Sequence, residues 1–388
     1  MKNEGIAAGI DFQMTEDMKT LRQTVREFAE AEIKPQVMKL DEAQEFPLAI
    51  VRKMADLGFL GATVSVDLEG AGLSALEFVT IMEEIARIDP SVALTLAAHS
   101  GLCLQHISTF ANAQQLKAYV PDLATGRKIG SWCLTEPGSG SDAGGMTTNA
   151  LLKGNSYLLN GTKTFITNGS HASTFVVTAK TDPTKGKSGI SAFIVEKSFG
   201  GISVGKKENK LGMRASDTVQ LNFDNVPVPK ENLLGKEGEG FKQALTVLDS
   251  GRIGIAALSV GLAQGALDAA IKYAKERRQF GQAIAEFQGI QFSLADMATE
   301  IAAARLLTYR AAEAKARGAN ITLLAAQAKF FASEIATKAA NAAVQIHGGY
   351  GFTKDYPVEK YYRDVKLLTI GEGTSEVQKM VIAKHILK

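Results

Sequence analysis

The pattern of apolar and polar positions changes character twice along the chain. Between about Thr15 and Tyr119, apolar residues recur at helical spacing. Met18, Leu21, Val25, Phe28 and Ala29 form one such stripe ahead of Pro35, and Phe78, Ile81, Met82 and Ile85 form another, stopped by Asp89-Pro90. The stretch SVALTLAAHSGLCLQHI is apolar almost all round, which predicts a helix buried on every side. From about Lys128 to Leu234, short β-rich runs alternate with turn residues. Asn160-Gly161 lies between two of these runs and predicts a hairpin. TFVVTAKTD, GISAFIVE and TVQLNFDNV continue the series, which Pro227 and Pro229 close. No proline follows until Pro357, and the chain becomes alanine-rich and helical. One helix is apolar along Ile255, Leu258, Leu262, Ala266, Ala269 and Tyr273 and also on its far side, at Val260, Leu267 and Ile271. A second carries Ile290, Leu294, Met297, Ile301 and Ala304, with Gly318 placed as its C-cap glycine. A third runs from Ile321 to about Ile346 and ends at Gly348-Gly349, and TSEVQKMVIAKHIL forms the last.

Long helices joined by short loops imply an antiparallel bundle. The fold expected is therefore α+β in three domains: helical over residues 1–126, β over 127–238 and a helical bundle over 239–388. At 388 residues, 45% hydrophobic and 22% charged, the chain can bury large cores without staples. Its 43 basic and 41 acidic residues are too balanced to predict nucleic acid or an anionic membrane as partner. Cys103 and Cys133 form no C-x-x-C pair, so reduced thiols are expected, and the five histidines show no metal spacing. The start MKNEGIAAGIDFQ has no secretion pattern, and no uninterrupted apolar stretch reads as long enough to span a bilayer. These features predict a soluble cytoplasmic protein with no membrane insertion and no metal.

Residues 131–145 read SWCLTEPGSGSDAGG, in which Gly138, Gly140 and Ala143 fit the G-x-G-x-x-G/A dinucleotide fingerprint. A Rossmann loop must open a helix, but here LLKGNSYLLNGTKTFIT follows and reads as strands. NAD binding through this loop is rejected. Its glycines, with Ser139 and Ser141, either cradle a phosphate or flavin or form a plain turn between strands.

WCLTEPGSGSD also resembles the first signature of the acyl-CoA dehydrogenase family. FITNG at 165–169, RRQFG at 277–281, FQGIQ at 287–291, QIHGGYG at 345–351 and GEGTSEVQ at 371–378 follow in that family's order. LDSGRIGIAALSVGLAQGALDAA is similar to the short-chain, butyryl-type branch, and the resemblance covers the chain from about Asp11 to Lys388. It implies an N-terminal α-helical domain, a β-barrel-like or sandwich middle domain and a C-terminal four-helix bundle, assembled as a homotetramer (a dimer of dimers). It implies FAD-dependent oxidation of an acyl-CoA to the trans-2-enoyl-CoA, by α-proton abstraction and β-hydride transfer to the flavin. Electrons would pass to electron-transferring flavoprotein, in a bacterial cytoplasm or, in a eukaryote, the mitochondrial matrix.

The resemblance makes Glu372 the catalytic base. Read on its own, Glu372 is a glutamate in a turn before the last helix, where a carboxylate suits a helix amino terminus. As a base it needs desolvation to raise its pKa. Some relatives carry the base near the position of Gly251, which here supplies no carboxylate. The thioester oxygen would accept from the base residue's own N–H and a ribityl hydroxyl. For FAD, the carried-over positions are Trp132, Cys133, Leu134, Thr135, Gly140, Ser141, Phe165, Ile166 and Thr167. Thr135 and Thr167 are to meet the ring's polar edge, and Phe165 stands where relatives usually have tryptophan. Arg277, Phe280, Gln288, Gln345, Gly348 and Gly349 resemble positions that hold the pyrophosphate and adenine across a subunit boundary. Thr374, Ser375 and Glu376 open the last helix toward a phosphate or ribityl oxygen. Ser141, Asp249, Ser250, Gly251, Arg252, Gly371 and Gly373 match substrate positions. Lys206, Lys207 and Lys210 read either as CoA-phosphate contacts or as a solvated charge run, and His99 as a neighbour of the acyl cavity or a core residue.

Gly371 departs from the family, which commonly has an aromatic residue there; this predicts a wider pocket admitting branched, cyclic or aryl-bearing acyl groups. Readings from other classes are an acyl-CoA oxidase, an enoyl-CoA-reducing flavoenzyme, a flavin monooxygenase or nitroalkane oxidase, and a non-catalytic relative. The chain lacks the length for an oxidase's additional helical domain.

Overall fold

The computed structural model describes residues 14–387. Their first part is helical: α1 (Glu16–Phe28), α2 (Val37–Ala43), α3 (Leu48–Asp56), α4 (Ala75–Ile88), α5 (Pro90–Leu96), α6 (Gln105–Phe110) and α7 (Ala113–Ala124). The break expected at Pro35 is a π-helical turn over Ala29–Ile33 followed by a 3-10 turn over Lys34–Gln36. Helix α4 starts at a capping box: Ser74 Oγ accepts from the Glu77 N–H, and the Glu77 carboxylate accepts from the Ser74 N–H. It stops at Asp89, whose side chain then accepts the Ser91 N–H and starts α5. Ala97–Leu104 is π-helical, a geometry frequent at functional sites. From Pro90 to Leu104 every residue but Gly101 is buried, as the all-round apolar pattern requires.

The middle strands are β1 (Gly130–Cys133), β2 (Asn149–Lys153), β3 (Ser156–Thr167), β4 (Thr174–Lys180), β5 (Ile190–Glu196), β6 (Ile202–Lys207), β7 (Thr218–Pro229) and β8 (Leu233–Leu234). They form one eight-stranded mixed sheet in the order β6-β7-β3-β2-β4-β5-β8, with β1 parallel to β4. Strands β4 and β5 are covered on both faces and accordingly read TFVVTAK and ISAFIVE, nearly continuously apolar.

The hairpin expected at Asn160-Gly161 is not there. Those two residues lie inside β3, and the turn falls at Gly154-Asn155, between the paired Lys153 and Ser156. Gly161 instead marks a register shift against β7, and any Cβ on it would run into Thr148. The dipeptide signals a bulge and a close approach.

After the sheet come α8 (Gly240–Glu276), a small hairpin β9 (Arg278–Gln279) and β10 (Gln282–Ala283), then α9 (Gln288–Ala316), α10 (Thr322–His347), α11 (Val358–Asp364) and α12 (Ser375–Ile386). Helices α8, α9 and α10 pack on one another, α4 packs on α8, and α12 packs on α10. By length and composition α8 could cross a bilayer, but 83% of its most apolar window is buried inside the protein. It is the core helix that joins the two helical regions. Buried polar groups lock that junction: Lys360 of α11 meets Asp89 at 2.8 Å, and Glu83 of α4 meets Arg305 of α9 at 2.8 Å. Removing one partner of such a pair strands a charge in the interior.

Candidate active site

Between α11 and α12 the chain forms a 3-10 turn over Val365–Thr369 and then a left-handed bend, with φ +52° at Glu372 and +97° at Gly373. Non-glycine residues tolerate such φ only where the surroundings enforce it, at about 1–3 kcal/mol. Here the surroundings are specific. Lys329 Nζ donates to the Gly373 carbonyl at 2.8 Å, Gln378 Nε2 donates to the same oxygen at 2.9 Å, and Thr374 caps α12 by accepting the Val377 N–H. The bend sends the Glu372 side chain back onto α8, where a Cβ on Gly251 would collide with Oε2.

Glu372 keeps some surface as a residue, yet Oε2 is sealed from solvent and has no hydrogen-bond partner among the described residues. Burial drives the carboxyl up to about pKa 7, against the pull of Lys329 and Arg252. A carboxyl poised there is matched to proton abstraction at neutral pH. Arg252 is buried and ion-paired to Asp249, which also accepts the Thr322 hydroxyl at 2.6 Å. Ser250, Gly251 and Gly254 of α8 line a narrow cavity with Ala97, Ser100 and Gly101. That cavity shares Thr63, Ala75, Gln105 and Lys315 with a wider one of about 220 Å³. Leu367 stands against Gly371, where an added Cβ would rest 3.5 Å from Leu367 Cδ1.

The sheet abuts the helices that border this cavity: β1 packs on the π-helical segment Ala97–Leu104. The Ser131 hydroxyl donates to the Thr167 carbonyl at 2.6 Å and the Thr164 N–H to the Thr135 carbonyl at 2.9 Å, so the two segments lie side by side. Thr135 and Thr167 are half-buried, and neither hydroxyl has a partner among the described residues. Phe165, at φ +56°, leaves 63% of its surface exposed. Asn168 Nδ2 donates to the Thr95 carbonyl at 3.0 Å, which docks the end of β3 on α5. From the adjoining π-helical segment, Leu102 reaches the space beside Gly251 and Glu372.

Other positions behave differently. The Trp132 indole N–H is used internally, donating to His106 Nδ1 at 2.9 Å, and His106 Nε2 meets Gln243 Oε1 at 3.0 Å. Cys133, Leu134 and Ile166 are buried in the cores, so only their backbone is available to a ligand. Gly140 and Ser141 lie on an exposed loop held by Glu136. The Glu136 carboxylate accepts the Thr147 and Thr148 N–H groups and meets Lys163 Nζ at 2.9 Å, so the carboxyl falls to about pKa 2. This loop opens no helix beyond a 3-10 turn over Ala143–Gly145, as the rejection of a Rossmann reading requires. His99 is satisfied in the core by the Leu123 carbonyl and the Gly130 N–H. Lys206 pairs with Glu208, while Lys207 and Lys210 donate to the Gln44 and Ser216 carbonyls.

A second cluster lies at the far end of the bundle. Arg277 caps α8, Phe280 tips the β9–β10 hairpin with 94% exposure, Gln288 opens α9, and Gln345, Gly348 and Gly349 close α10. Phe280 packs edge-on to Phe287, and the Arg277 guanidinium lies over the Tyr350 ring, 5.6 Å from its centroid. Arg277 has no carboxylate partner among the described residues. At ~1.5 Å rise per residue it lies about 39 Å farther along α8 than Gly251. The structure therefore does not bring this cluster to the Glu372 of the same chain.

Three family models match the chain: acyl-CoA dehydrogenase, N-terminal domain, over residues 15–127; middle domain, over 131–226; and C-terminal domain, over 238–387. The chain belongs to the acyl-CoA dehydrogenase family. It is 48% identical to the short-chain specific acyl-CoA dehydrogenase of Clostridium acetobutylicum, over 98% of this chain and all of that one. It is 47% identical to the caffeyl-CoA reductase–Etf complex subunit CarC of Acetobacterium woodii, over 96% of this chain and 99% of the relative. The solved butyryl-CoA dehydrogenase of Megasphaera elsdenii superposes with a TM-score of 0.96 at 42% identity, covering 97% of this chain and all of that one.

An acyl-CoA dehydrogenase is an FAD-dependent oxidoreductase acting on CH–CH donors, and the residues present fit FAD. The unpartnered Thr135 and Thr167 hydroxyls and the uncovered Phe165 ring suit a flat, polar-edged ring system. The uncompensated Arg277 suits a pyrophosphate. Sequence reasoning missed Lys329, Gln378, Glu136 and Lys163. Lys329 and Lys163 act on groups distant in the chain, which no local pattern marks, whereas Glu136 and Gln378 lie inside the motifs WCLTEPGSGSD and GEGTSEVQ without their contacts being readable from them.

Proposed function

We propose that this acyl-CoA dehydrogenase oxidises short-chain acyl-CoA thioesters, with Glu372 as the base that takes the α-proton. The observation that carries the reading is the sealed, unpartnered Glu372 Oε2 with its carboxyl raised to about pKa 7. Bound FAD supplies the hydride acceptor. The chain's own groups do the rest. Glu372 removes the proton, its backbone N–H meets the thioester oxygen, and Gly373 lets the thioester pass close to the backbone. Asp249, Ser250, Arg252 and Ser141 hold the CoA side, with Arg252 fixed by Asp249. Thr374 and Ser375 serve by shaping the bend, the former as a cap and the latter by donating to Glu334 at 2.6 Å.

A second copy of the chain completes each FAD site through Arg277, Phe280, Gln288, Gln345, Gly348 and Gly349. The separation of that cluster from Gly251 along α8 supports this pairing, and the homotetramer built as a dimer of dimers is inferred from the family resemblance alone. Electron-transferring flavoprotein is the acceptor we infer, because CarC is named as part of an Etf complex. That relative's name also supports a second reading, in which the same site runs as an enoyl-CoA reductase. Acceptance of branched or cyclic acyl groups is inferred from Gly371 alone, which stands where the family commonly has an aromatic side chain.

Anaerobic titration of the FAD-loaded enzyme with butyryl-, isobutyryl-, cyclohexanecarbonyl- and octanoyl-CoA tests the reading. Butyryl-CoA is expected to bleach the flavin. Bleaching by butyryl-CoA alone would refute the wider pocket, and no bleaching by any of the four would refute the activity.

A further inference from the structure

Lys329 sits on α10 in an alanine-rich stretch and looks in sequence like one more surface cation. In the structure its side chain is fully buried, and no carboxylate lies within ion-pair distance of it among the described residues. Taking an ammonium out of water without a counter-ion is unfavourable, so a lysine buried in this way must be held by what it contacts. Its one strong hydrogen bond, at 2.8 Å, goes to the Gly373 carbonyl, directly after the base. The charged groups around the pair come from three helices. Arg252 on α8 faces Glu372 but is paired with Asp249. Glu334, on α10 itself, is turned to the Ser375 hydroxyl. Glu376, in the first turn of α12, is exposed. Lys329 is therefore the cation next to Glu372 that no carboxylate claims, and burial lowers its own pKa to about 8.

We propose that Lys329 is a positioning residue for the base: it clamps the Gly373 carbonyl from α10, holds the left-handed Glu372–Gly373 bend against Gly251, and is the charge that Glu372 faces when it ionises. The proposal rests on Glu372 being the base. The clamp works with Gln378, which donates to the same carbonyl from α12, so two helices grip the bend from either side. The charge acts on the carboxylate through the interior, where screening by solvent is weak. Removing it must make Glu372 harder to ionise.

The test compares FAD-loaded wild type, Lys329→Met, Lys329→Arg and Glu372→Gln by kcat/KM against pH, with flavin content and Tm measured alongside. Lys329→Met is expected to bind flavin fully and to move the acid limb about one unit to higher pH, so that kcat/KM well below the limb falls about tenfold. Its kcat falls more than its KM changes, and Lys329→Arg brings the limb back toward wild type. If Lys329→Met yields no folded flavoprotein, Lys329→Gln, polar and uncharged, is read in the same way. An acid limb unmoved in the neutral variants, with activity lost only in step with flavin content or Tm, overturns the proposal while an inactive Glu372→Gln leaves the base assignment standing. A fully active Glu372→Gln overturns both.

Discussion

The carboxylate of Glu372 occupies the place where a side chain on Gly251 would begin. The two residues are far apart in sequence, one on α8 and one ahead of α12, and the base is aimed only because the helix beneath it has no Cβ at that point. Gly251→Ala should displace the carboxylate by about the radius of a methyl group. Misplacement of about 1 Å in such a site costs about 10²-fold in rate. We expect kcat to fall by that order with flavin content unchanged, read by steady-state kinetics and visible absorbance.

Stability should register the same sealed carboxyl. The folded state holds Glu372 at about pKa 7, above its ordinary 4.5, so the folded protein binds this proton more tightly than the unfolded chain. The benefit is complete below about pH 4.5 and is lost as pH rises to 7. Across that window wild type should therefore lose up to about 3 kcal/mol of stability relative to the non-titrating Glu372→Gln. Tm measured for both proteins from pH 5 to 8 should diverge as pH rises and then run parallel.

The separation of Arg277 from Gly251 along α8 makes a sharp prediction for mixed oligomers. Arg277→Ala and Glu372→Gln chains are each expected to be inactive alone. If one chain supplies the base and another the arginine, each mixed dimer contains one fully wild-type site. Random mixing should then restore about a quarter of wild-type activity. Cis-acting sites would restore none.

Lys163 and Glu136 hold the loop that carries Gly140 and Ser141, and both are buried. Lys163→Met leaves Glu136 without its cation and should destabilise the protein by about 3–5 kcal/mol. Chemical denaturation of the FAD-loaded protein would show it, together with weaker flavin retention.

Much of this architecture is legible in the sequence. Helical spacing locates α4 and α8 to α10, because each buries a stripe or, for α8, almost its whole circumference. The Glu-Gly-Thr bend before α12 is legible too, since glycine permits the left-handed turn and threonine caps the helix. Asn160-Gly161 misleads because a two-residue turn signal is local, whereas the bulge at Gly161 is set by Thr148 from a neighbouring segment. The partner of the Trp132 indole N–H is not legible either, because His106 and, through it, Gln243 come from two other parts of the chain. Lys329 leaves no local trace, because what it grips lies 44 residues away.

If the buried Glu372 carboxyl takes the α-proton, flavin reduction by substrate must depend on it. Single-turnover reduction of the bound flavin by butyryl-CoA under anaerobic conditions measures it directly. With Glu372→Gln, binding should persist while reduction slows by at least about 10³-fold. Reduction within about tenfold of wild type would show that another group takes the α-proton.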